Sequence, residues 1–233
     1  MSEPSSRVVR VSAVRQVGPD AVAIEIEAPA EFDARPGQFV KLSAPALETS
    51  RFYSLSSPDV EDTLEVTVAV DPDGTLGPWL ADREAGDEVE VAGPFGNTYY
   101  DGEDRVVVLA GGPGVGPAVG IAERALAAGN EAAVVYRDDA PMHEDRLAAL
   151  SSMGATVALV GEAAERADVD GADLAADAAD VAAPDAFDAA VAEAVREGGQ
   201  VFVYGFADFL DVATDALAAA GYDPDAAKVE NFG

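Results

Sequence analysis

The glycine-rich segment "LAGGPGVGPAVG", residues 109–120, has the residue types and spacing of a phosphate-binding turn. An apolar run precedes it and a helical pattern follows, so bare backbone amides and the positive end of a helix dipole would face an anion there. It is not a Walker A loop, because Pro117 and Ala118 occupy the positions of the Lys and Ser/Thr of that motif. It also departs from the usual dinucleotide fingerprint, since Gly112 and Gly114 are followed by Pro117 instead of a third glycine. By itself the segment indicates either a phosphate site or a tight turn without a ligand.

A second candidate for chemistry is "RFYSLSS", residues 51–57. In an extended backbone Arg51 and Tyr53 lie on one face, about 7 Å apart, and Ser54 lies on the other. Taken alone, these residues are better explained by a half-buried strand with a surface arginine, so any function depends on the motifs around them.

The composition is strongly acidic. The formal net charge is −30, from 44 Asp and Glu against 14 Lys and Arg. This charge would repel phosphates and anionic membrane surfaces, so neither nucleic acid nor a membrane is an expected partner. Because concentrated salt screens self-repulsion, the composition predicts a halophilic source.

Cysteine is absent and His143 is the single histidine. This excludes disulfides, thiolate metal sites and cysteine-ligated iron–sulfur clusters, and it argues against a multi-histidine metal site. We therefore expect no metal centre, and His143 lies in a loop-like segment with no expected role. The first residues lack the apolar core of a signal peptide and no apolar run is long enough to span a bilayer, which predicts a cytoplasmic protein.

Hydrophobic residues alternate with polar ones up to about residue 100, between clusters of Gly, Pro and Asp. The alternation predicts six strands, at residues 7–18, 20–28, 37–44, 51–57, 62–70 and 87–93. Residues 77–85 predict one short helix with Pro78 in its first turn. Six short strands with one small helix favour an antiparallel β-barrel.

The pattern changes from Arg105 onward, where short apolar runs alternate with alanine-rich stretches. These predict strands at 105–110, 131–136, 155–160 and 200–205, and helices that include 118–129 and 208–221. Such alternation indicates an α/β domain with a doubly wound parallel sheet. The acidic segment 162–188 predicts a solvated helix and loops without a site. We expect two domains, residues 1–101 and 102–233.

Seven motifs together resemble the ferredoxin–NADP(+) reductase family, in particular the bacterial type that serves ferredoxin or flavodoxin. They are "RPGQFVKL" at 35–42, "RFYSLSS" at 51–57, "DPDGTLGPWL" at 71–80, "GDEVEVAGPFG" at 86–96, "LAGGPGVGP" at 109–117, "VFVYGFADFLDVATDAL" at 201–217 and "VENFG" at 229–233. The resemblance covers nearly the whole chain. It implies a flavin-binding barrel followed by a nicotinamide-nucleotide domain, with the reaction in the cleft between them.

An Arg-x-Tyr-Ser strand binds FAD in that family, which implies that Arg51, Phe52, Tyr53 and Ser54 bind the cofactor here. By this resemblance Arg51 pairs with the pyrophosphate and Tyr53 stacks on the isoalloxazine ring. The Ser54 hydroxyl would lie near flavin N5, where hydride arrives, so Tyr53 and Ser54 are implied as catalytic residues.

Further residues are implied by the other motifs. The second flavin loop corresponds to Gly74, Thr75 and Leu76, with Gly77 in place of the family's serine. The nucleotide turn corresponds to Gly111, Gly112, Gly114 and Pro117, with Pro113 in place of a frequent threonine. Gly205 belongs to a separate triplet, residues 204–206, at the end of a later strand.

The resemblance leaves the choice between NADPH and NADH open. Arg137 is placed to meet a 2'-phosphate, whereas Asp138 and Asp139 are placed to accept a ribose 2'-hydroxyl. We expect NADPH, because the family uses it and because arginine is scarce in this chain, with NADH as the alternative.

The end of the chain carries two further candidates. Glu230 matches an acid near the reacting rings in many relatives, and it is implied as a catalytic residue. Phe232 either shields the flavin or lies in a frayed tail. Tyr204 stands where many relatives have cysteine, so the role of that cysteine does not transfer.

These features predict an FAD-dependent NAD(P)H oxidoreductase that passes single electrons to a separate ferredoxin or flavodoxin, as a monomer. The carrier must be separate, because a chain without cysteine is not expected to hold an iron–sulfur cluster. One alternative is an electron-transfer subunit of a larger oxidoreductase. Another is a nucleotide-binding module without redox chemistry.

Overall fold

The computed structural model describes residues 6–44, 47–161 and 183–233. The first half of the chain forms six antiparallel strands and one short helix. They are β1 (Arg7–Gly18), β2 (Ala21–Glu27), β3 (Phe39–Ala44), β4 (Thr49–Ser54), β5 (Thr63–Ala69), α1 (Leu76–Ala81) and β6 (Glu88–Phe95). The period-two pattern therefore predicted these elements correctly, to within a few residues at each end.

The six strands lie in the order β4-β3-β6-β1-β2-β5. The two outer strands, β4 and β5, close the sheet into a barrel. Directly after β4, Leu55 forms a β-bridge with Val66 of β5, and the Ser56 amide donates to the Glu65 carbonyl over 2.9 Å. Alternate side chains such as Ile24 of β2 point inward and are fully buried. Each buried aliphatic side chain of this kind contributes about 1.5–3 kcal/mol. The antiparallel β-barrel is thus confirmed.

The second half is a parallel sheet with helices on both faces. Its elements are β7 (Arg105–Gly111), α2 (Val115–Ala127), β8 (Glu131–Arg137), α3 (Glu144–Ser152), β9 (Thr156–Val160), α4 (Ala183–Val195), β10 (Gln200–Gly205), α5 (Ala207–Ala219) and β11 (Lys228–Asn231). The strand order is β11-β10-β7-β8-β9, with parallel pairing throughout. The doubly wound α/β domain is confirmed.

The order in which strands are added to this sheet reverses between β7 and β10. Strands β8 and β9 follow β7 on one side, whereas β10 and β11 lie on the other. A crevice opens at the carboxyl ends of the strands at such a switch point. The glycine-rich turn follows β7 directly and so lies in this crevice.

The C-terminal motif forms an edge strand, which the apolar runs did not predict. Val229 of β11 pairs with Val203 of β10, and the Phe232 amide donates to the Gly205 carbonyl over 3.0 Å. The interpretation of Phe232 as part of a frayed tail is therefore wrong.

The predicted domain boundary, between residues 101 and 102, lies in the connection from Phe95 to Arg105 and remains a prediction. Most of the acidic segment 162–188 lies outside the described residues, and its last part belongs to α4. Within the described ranges, no helix is both long and apolar enough to cross a bilayer.

Candidate functional site

A cleft of about 720 Å³ lies between the barrel and the parallel sheet. This volume is typical of sites that hold cofactors and other small ligands. The barrel wall comes from β4, from the end of β5 and from the loop after β5. The opposite wall consists of Pro113, Asp138, Ala140, Met142, Phe206 and Phe232. These residues follow β7, β8, β10 and β11, so the cleft lies at the carboxyl edge of the sheet.

Strand β4 brings Arg51, Tyr53 and Ser54 to the cleft together. Burial raises the pKa of Tyr53 to about 12, although the Arg51 charge acts in the opposite direction. The Tyr53 phenol is therefore neutral at physiological pH and its ring can stack on an aromatic ligand. Arg51 is exposed and makes no ion pair with any described residue, so its charge is available to an anion.

Phe52 also borders the cleft, but most of its side chain is in solvent. The residue is 61% exposed. Its ring makes edge-to-face contacts with Phe39 and Phe95, at centroid distances of 5.4 and 5.9 Å. Phe52 thus belongs to an aromatic cluster beside the cleft.

The loop after β5 lies across from β4. The side chain of Asp71 accepts a hydrogen bond from the Asp73 amide, and its carbonyl accepts one from Gly74. Gly74 and Thr75 line the cleft. The Leu76 side chain is fully buried in the barrel core, so only the backbone of Leu76 is available to a ligand.

The glycines of the nucleotide motif have different roles in the structure. A side chain at Gly111 or Gly205 would clash with the Phe209 ring, and one at Gly114 would clash with the Tyr204 carbonyl. These three glycines therefore permit close packing. Gly112 has φ +55° and open space on its side-chain position, so it is the glycine of this turn that leaves room for a ligand.

Two proline residues complete this turn. Pro113 lines the cleft, whereas Pro117 is buried in the first turn of α2. The predicted turn therefore meets the cleft at Pro113.

The side chains of the neighbouring residues Arg137 and Asp138 lie in different places. The Arg137 guanidinium lies 5.7 Å from the centre of the Phe187 ring of α4, and it is absent from the cleft lining. Asp138 lines the cleft, where its carboxylate accepts hydrogen bonds from the Tyr136 hydroxyl at 2.9 Å and from the Ala140 amide at 2.8 Å. Asp138 is therefore closer to the cleft than the expected cation.

The C-terminal residues contribute an aromatic pair to the cleft. Phe206 and Phe232 meet edge to face, with ring centres 5.9 Å apart. Glu230 does not line the cleft and lies beside Gly96 of the barrel. Partial burial raises the pKa of Glu230, against the effect of a hydrogen bond with Thr98. Its carboxylate can thus hold a proton more readily than an exposed glutamate.

Behind the cleft, charged and polar side chains join the two domains. We call them the polar junction: Glu65, Thr67, Glu123, His143 and Arg146. Arg146 donates to Glu65 at 3.0 Å, to both oxygens of Glu123 at 2.7 and 2.6 Å, and to the Ser56 carbonyl at 2.8 Å. One guanidinium therefore binds β5 of the barrel to α2 and α3.

His143 is part of this junction, although no role was expected for this residue. Its Nε2 atom lies 2.8 Å from Thr67 Oγ1, and Thr67 lines the cleft. Burial, with help from the charges of Arg146 and Arg15, lowers the pKa of His143 to about 3. The imidazole is therefore neutral at physiological pH and holds one wall of the cleft against the other domain.

A second contact, the tyrosine junction, consists of Tyr204 with the backbone of Gly37 and Thr98. The Tyr204 hydroxyl donates to the Thr98 carbonyl at 2.7 Å, and the Gly37 carbonyl lies 3.4 Å away. Tyr204 is fully buried, and burial raises its pKa far above the usual value. At the position where many relatives have cysteine, Tyr204 therefore joins the α/β domain to the barrel.

Helix α2 also packs directly on the barrel. A methyl group at Gly116 would lie 2.6 Å from Thr67 Oγ1, and one at Gly120 would lie 2.9 Å from the Ser56 carbonyl. The four-residue spacing puts both glycines on one helix face. This spacing, and the buried polar residues Glu65 and Thr67 of β5, are the signals for the domain interface.

Comparison with known proteins agrees with this architecture. Residues 9–100 match the family of oxidoreductase FAD-binding domains. The ferredoxin reductase component of 3-ketosteroid-9-alpha-monooxygenase from Mycolicibacterium smegmatis is 31% identical over 218 residues, 84% of this chain and 55% of the relative. The toluate 1,2-dioxygenase electron transfer component of Pseudomonas putida is 30% identical over 125 residues, 52% of this chain and 37% of the relative. The chain thus spans about half or less of the length of these relatives.

Solved structures share both domains. Ferredoxin–NADP+ reductase from Plasmodium falciparum has a TM-score of 0.72 over 97% of this chain and 96% of its own, at 14% identity. An Amycolatopsis cytochrome P450 reductase has a TM-score of 0.73 over 100% of this chain and 72% of its own, at 24% identity. The chain thus has the two-domain fold of ferredoxin–NADP(+) reductases, and its residues 9–100 are similar to oxidoreductase FAD-binding domains.

Proposed function

We propose that this protein is an FAD-dependent NAD(P)H oxidoreductase that passes single electrons to a separate ferredoxin or flavodoxin. The observation that carries the proposal is the cleft itself, where Arg51, Tyr53 and Ser54 of the FAD-binding domain face Pro113 and Phe206 of the α/β domain. When bound, FAD accepts a hydride as an electron pair and releases electrons one at a time.

The residues of the barrel wall fit this cofactor. Arg51 supplies an unpaired guanidinium for the pyrophosphate, and Thr75 supplies a backbone amide next to Gly74, whose own amide donates to the Asp71 carbonyl. Tyr53 presents a neutral ring for stacking, and Ser54 presents a hydroxyl from the next position along the strand. Leu76 would contribute only its backbone.

The residues of the opposite wall fit a nicotinamide nucleotide. Gly112 leaves space in the turn that precedes α2, where amides and the helix dipole favour a phosphate. The rings of Phe206 and Phe232 make one end of the cleft apolar. Glu230, whose pKa is raised, would exchange protons from beside the barrel. Arg137 would reach a 2'-phosphate only after leaving Phe187, so NADPH and NADH both require testing.

The carrier, the monomeric state and the cytoplasmic location are further parts of the proposal. Any iron–sulfur carrier would lie outside these 233 residues, because they contain no cysteine to ligate a cluster. The alternative is a reductase subunit of a larger oxidoreductase, which is favoured by the naming of both relatives above as components of oxygenases. Size-exclusion chromatography of the native protein separates the two: a monomer supports the diffusing reductase, and a stable complex supports the subunit.

A visible spectrum in molar KCl tests the flavin chemistry. We expect purified protein to be yellow, or to become so with added FAD, and to be bleached anaerobically by NADPH or NADH. Protein that stays colourless would support the nucleotide-binding module without redox chemistry. A bound flavin that neither nucleotide bleaches would contradict hydride transfer.

Two substitutions in β4 separate binding from chemistry. We expect Arg51→Ala to weaken FAD retention, because it removes the cation for the pyrophosphate. We expect Ser54→Ala to retain FAD and to be reduced more slowly by NAD(P)H. Stopped-flow absorbance measures both, and Ser54→Ala reduced at the parent rate would remove the catalytic role of Ser54.

A further inference from the structure

The charged residues that line the cleft are mostly acids. Among the described residues of the lining, Arg51 is the one Lys or Arg, and it belongs to the barrel wall. The acids of the lining are Asp20, Asp71 and Asp138, of which Asp138 lies on the α/β wall. A dinucleotide bound along the α/β wall therefore meets a carboxylate there and no described cation.

Strand geometry puts Arg137 and Asp138 on opposite faces of the parallel sheet. Successive side chains of a strand point to opposite faces. Tyr136 packs in the hydrophobic cluster that includes residues of α2 and α3, whereas the Arg137 guanidinium lies 5.7 Å from the centre of the Phe187 ring of α4. Asp138 directly follows β8 and returns to the face of Tyr136. The local backbone thus directs the acid to the cleft and the cation away from it.

Two hydrogen bonds hold the Asp138 carboxylate in place. One oxygen accepts from the Tyr136 hydroxyl at 2.9 Å, and the other accepts from the Ala140 amide at 2.8 Å. Tyr136 is fully buried, and its hydroxyl in turn accepts from the Met142 amide at 3.2 Å. Burial and the Asp138 charge raise the pKa of Tyr136 far above its ordinary value, so the phenol stays protonated and donates to Asp138. Each carboxylate oxygen keeps a further lone pair for a ligand.

The backbone of Asp138 is also fixed. Its amide donates to the Val160 carbonyl at 3.0 Å. A methyl group at Gly161 would lie 2.1 Å from the Asp138 carbonyl oxygen, so the chain after β9 packs directly on this residue. The carboxylate therefore cannot move aside for a second anion without breaking these contacts.

We propose that Asp138, positioned by Tyr136, makes this protein specific for NADH over NADPH. The inference rests on the proposed function, because it chooses between the two nucleotides of that same site. The fixed carboxylate accepts a hydrogen bond from the ribose 2'-hydroxyl of NADH. A 2'-phosphate in the same place would put a second anion against Asp138, and this repulsion selects against NADPH. The choice differs from the expectation of NADPH that the sequence suggested.

Calorimetric titration of FAD-saturated protein with NAD+ and with NADP+ measures this preference without turnover. The two probes differ only in the 2'-phosphate, and saturation with FAD keeps them out of the flavin site. We expect NAD+ to bind at least about tenfold more tightly than NADP+, because like charges in contact are strongly unfavourable. Equal affinities, tighter binding of NADP+, or no binding of either probe would overturn the proposal.

Asp138→Asn tests the carboxylate, since it removes the charge and keeps the size of the side chain. We expect NADP+ binding to strengthen and NAD+ binding to weaken, so that the two affinities come within about threefold of each other. The matched control is Asp188→Asn, which removes the same charge from an exposed position of α4 on the opposite face of the sheet. A similar change in both variants would show an effect of net charge alone and would overturn the role of Asp138.

Tyr136→Phe tests the positioning of Asp138, because it keeps the buried ring and removes the hydroxyl that donates to the carboxylate. We expect the preference for NAD+ to fall at least about threefold, mainly through weaker NAD+ binding. Equal weakening of NAD+ and NADP+ would mean that Tyr136 is merely structural, and it would refute the positioning role. The preference of the parent protein decides the specificity even where a variant fails to fold.

Arg137→Met tests the competing assignment, in which Arg137 binds a 2'-phosphate. We expect both affinities to stay at the parent values, because the guanidinium lies on the α4 side of the sheet. A selective loss of NADP+ binding would overturn the proposal.

Two further observations separate this inference from the proposed function. Protein that binds no FAD would refute the proposed function, and the same titrations without flavin would still measure the nucleotide preference. If FAD binds but neither NADH nor NADPH reduces it, hydride transfer is wrong, whereas a tenfold preference for NAD+ would still support the role of Asp138.

Discussion

The two junctions between the domains use different physical interactions. The polar junction buries a guanidinium between two carboxylates, together with a neutral imidazole. The tyrosine junction depends on one neutral hydroxyl and backbone carbonyls. Only the first should respond to pH, because the Tyr204 hydroxyl has a pKa far above the physiological range. The two domains are thus joined by the polar junction, whose strength depends on pH, and by the tyrosine junction, whose strength does not.

This difference matters in a protein of net charge −30. Added salt screens exposed charges strongly and buried pairs much less. The Arg146 pairs are largely buried, with side-chain exposures of 20% for Arg146 and 10% for Glu65. We infer that both junctions persist in concentrated salt, which suits the predicted halophilic source. A fall in stability from low to molar KCl would contradict that prediction of source.

The largest effect is expected for Arg146→Met, which leaves Glu65 and Glu123 without their shared cation. The free energy of unfolding should fall by about 3 kcal/mol, because removing one partner of a buried pair leaves uncompensated charge. Urea denaturation measures the change. The control is Arg196→Met, whose exposed pair with Glu193 should contribute less than about 0.5 kcal/mol. Similar losses in both variants would show that the polar junction is no stronger than a surface pair.

The second effect is a pH dependence from His143, whose pKa is lowered from 6.5 to about 3. Between these values the unfolded chain binds a proton that the folded protein does not, so the free energy of unfolding falls as pH falls. The expected slope is about 1.4 kcal/mol per pH unit. The stability advantage of the parent over His143→Gln should therefore shrink by about 2 kcal/mol from pH 6.5 to 5. Parallel stability curves for parent and variant would contradict this role.

Tyr204→Phe should have a smaller effect. Loss of the hydroxyl leaves the Thr98 carbonyl without its donor and should cost about 1–2 kcal/mol. This cost should be the same from pH 5 to 8, unlike that of the polar junction. Thermal unfolding at several pH values provides the test. As a control, Tyr222→Phe removes a hydroxyl with a long 3.4 Å contact to the Val201 amide and should cost less.

The smallest effect is expected for Arg15→Gln. Arg15 pairs with Glu65, but its side chain is 56% exposed, so the pair should contribute about 0.5 kcal/mol at low salt. The contribution should vanish in molar KCl, where the Arg146 contribution persists. Denaturation at two KCl concentrations measures the difference. If both arginines lose their effect in salt, the Arg146 pairs are screened like surface pairs and the polar junction is not effectively buried.

Much of the fold could be predicted because periodicity is a local property of the sequence. Period-two alternation identified the barrel strands, and apolar runs identified β7, β8, β9 and β10. Strand β11 escaped prediction, because a four-residue edge strand with three polar residues has no distinctive pattern. Only its pairing with β10 identifies β11 as the edge strand of the parallel sheet.

The candidate site was predictable where neighbouring residues share one strand or turn. Arg51, Tyr53 and Ser54 meet the cleft together because they are adjacent in β4. Prediction was weaker for Gly111 and Gly205, whose missing side chains make room for Phe209. His143 was missed, because its partner Thr67 is 76 residues away in sequence.

The sequence by itself determined the two domain types, the acidic surface, the absence of cysteine chemistry and the local order of the candidate flavin and nucleotide motifs. These follow from composition and from the spacing of near neighbours. Only the tertiary structure decided that Glu65 and Thr67 meet Arg146 and His143, and that Tyr204 contacts the barrel. Such contacts join residues far apart in the chain, and their strength depends on burial, which no local pattern contains.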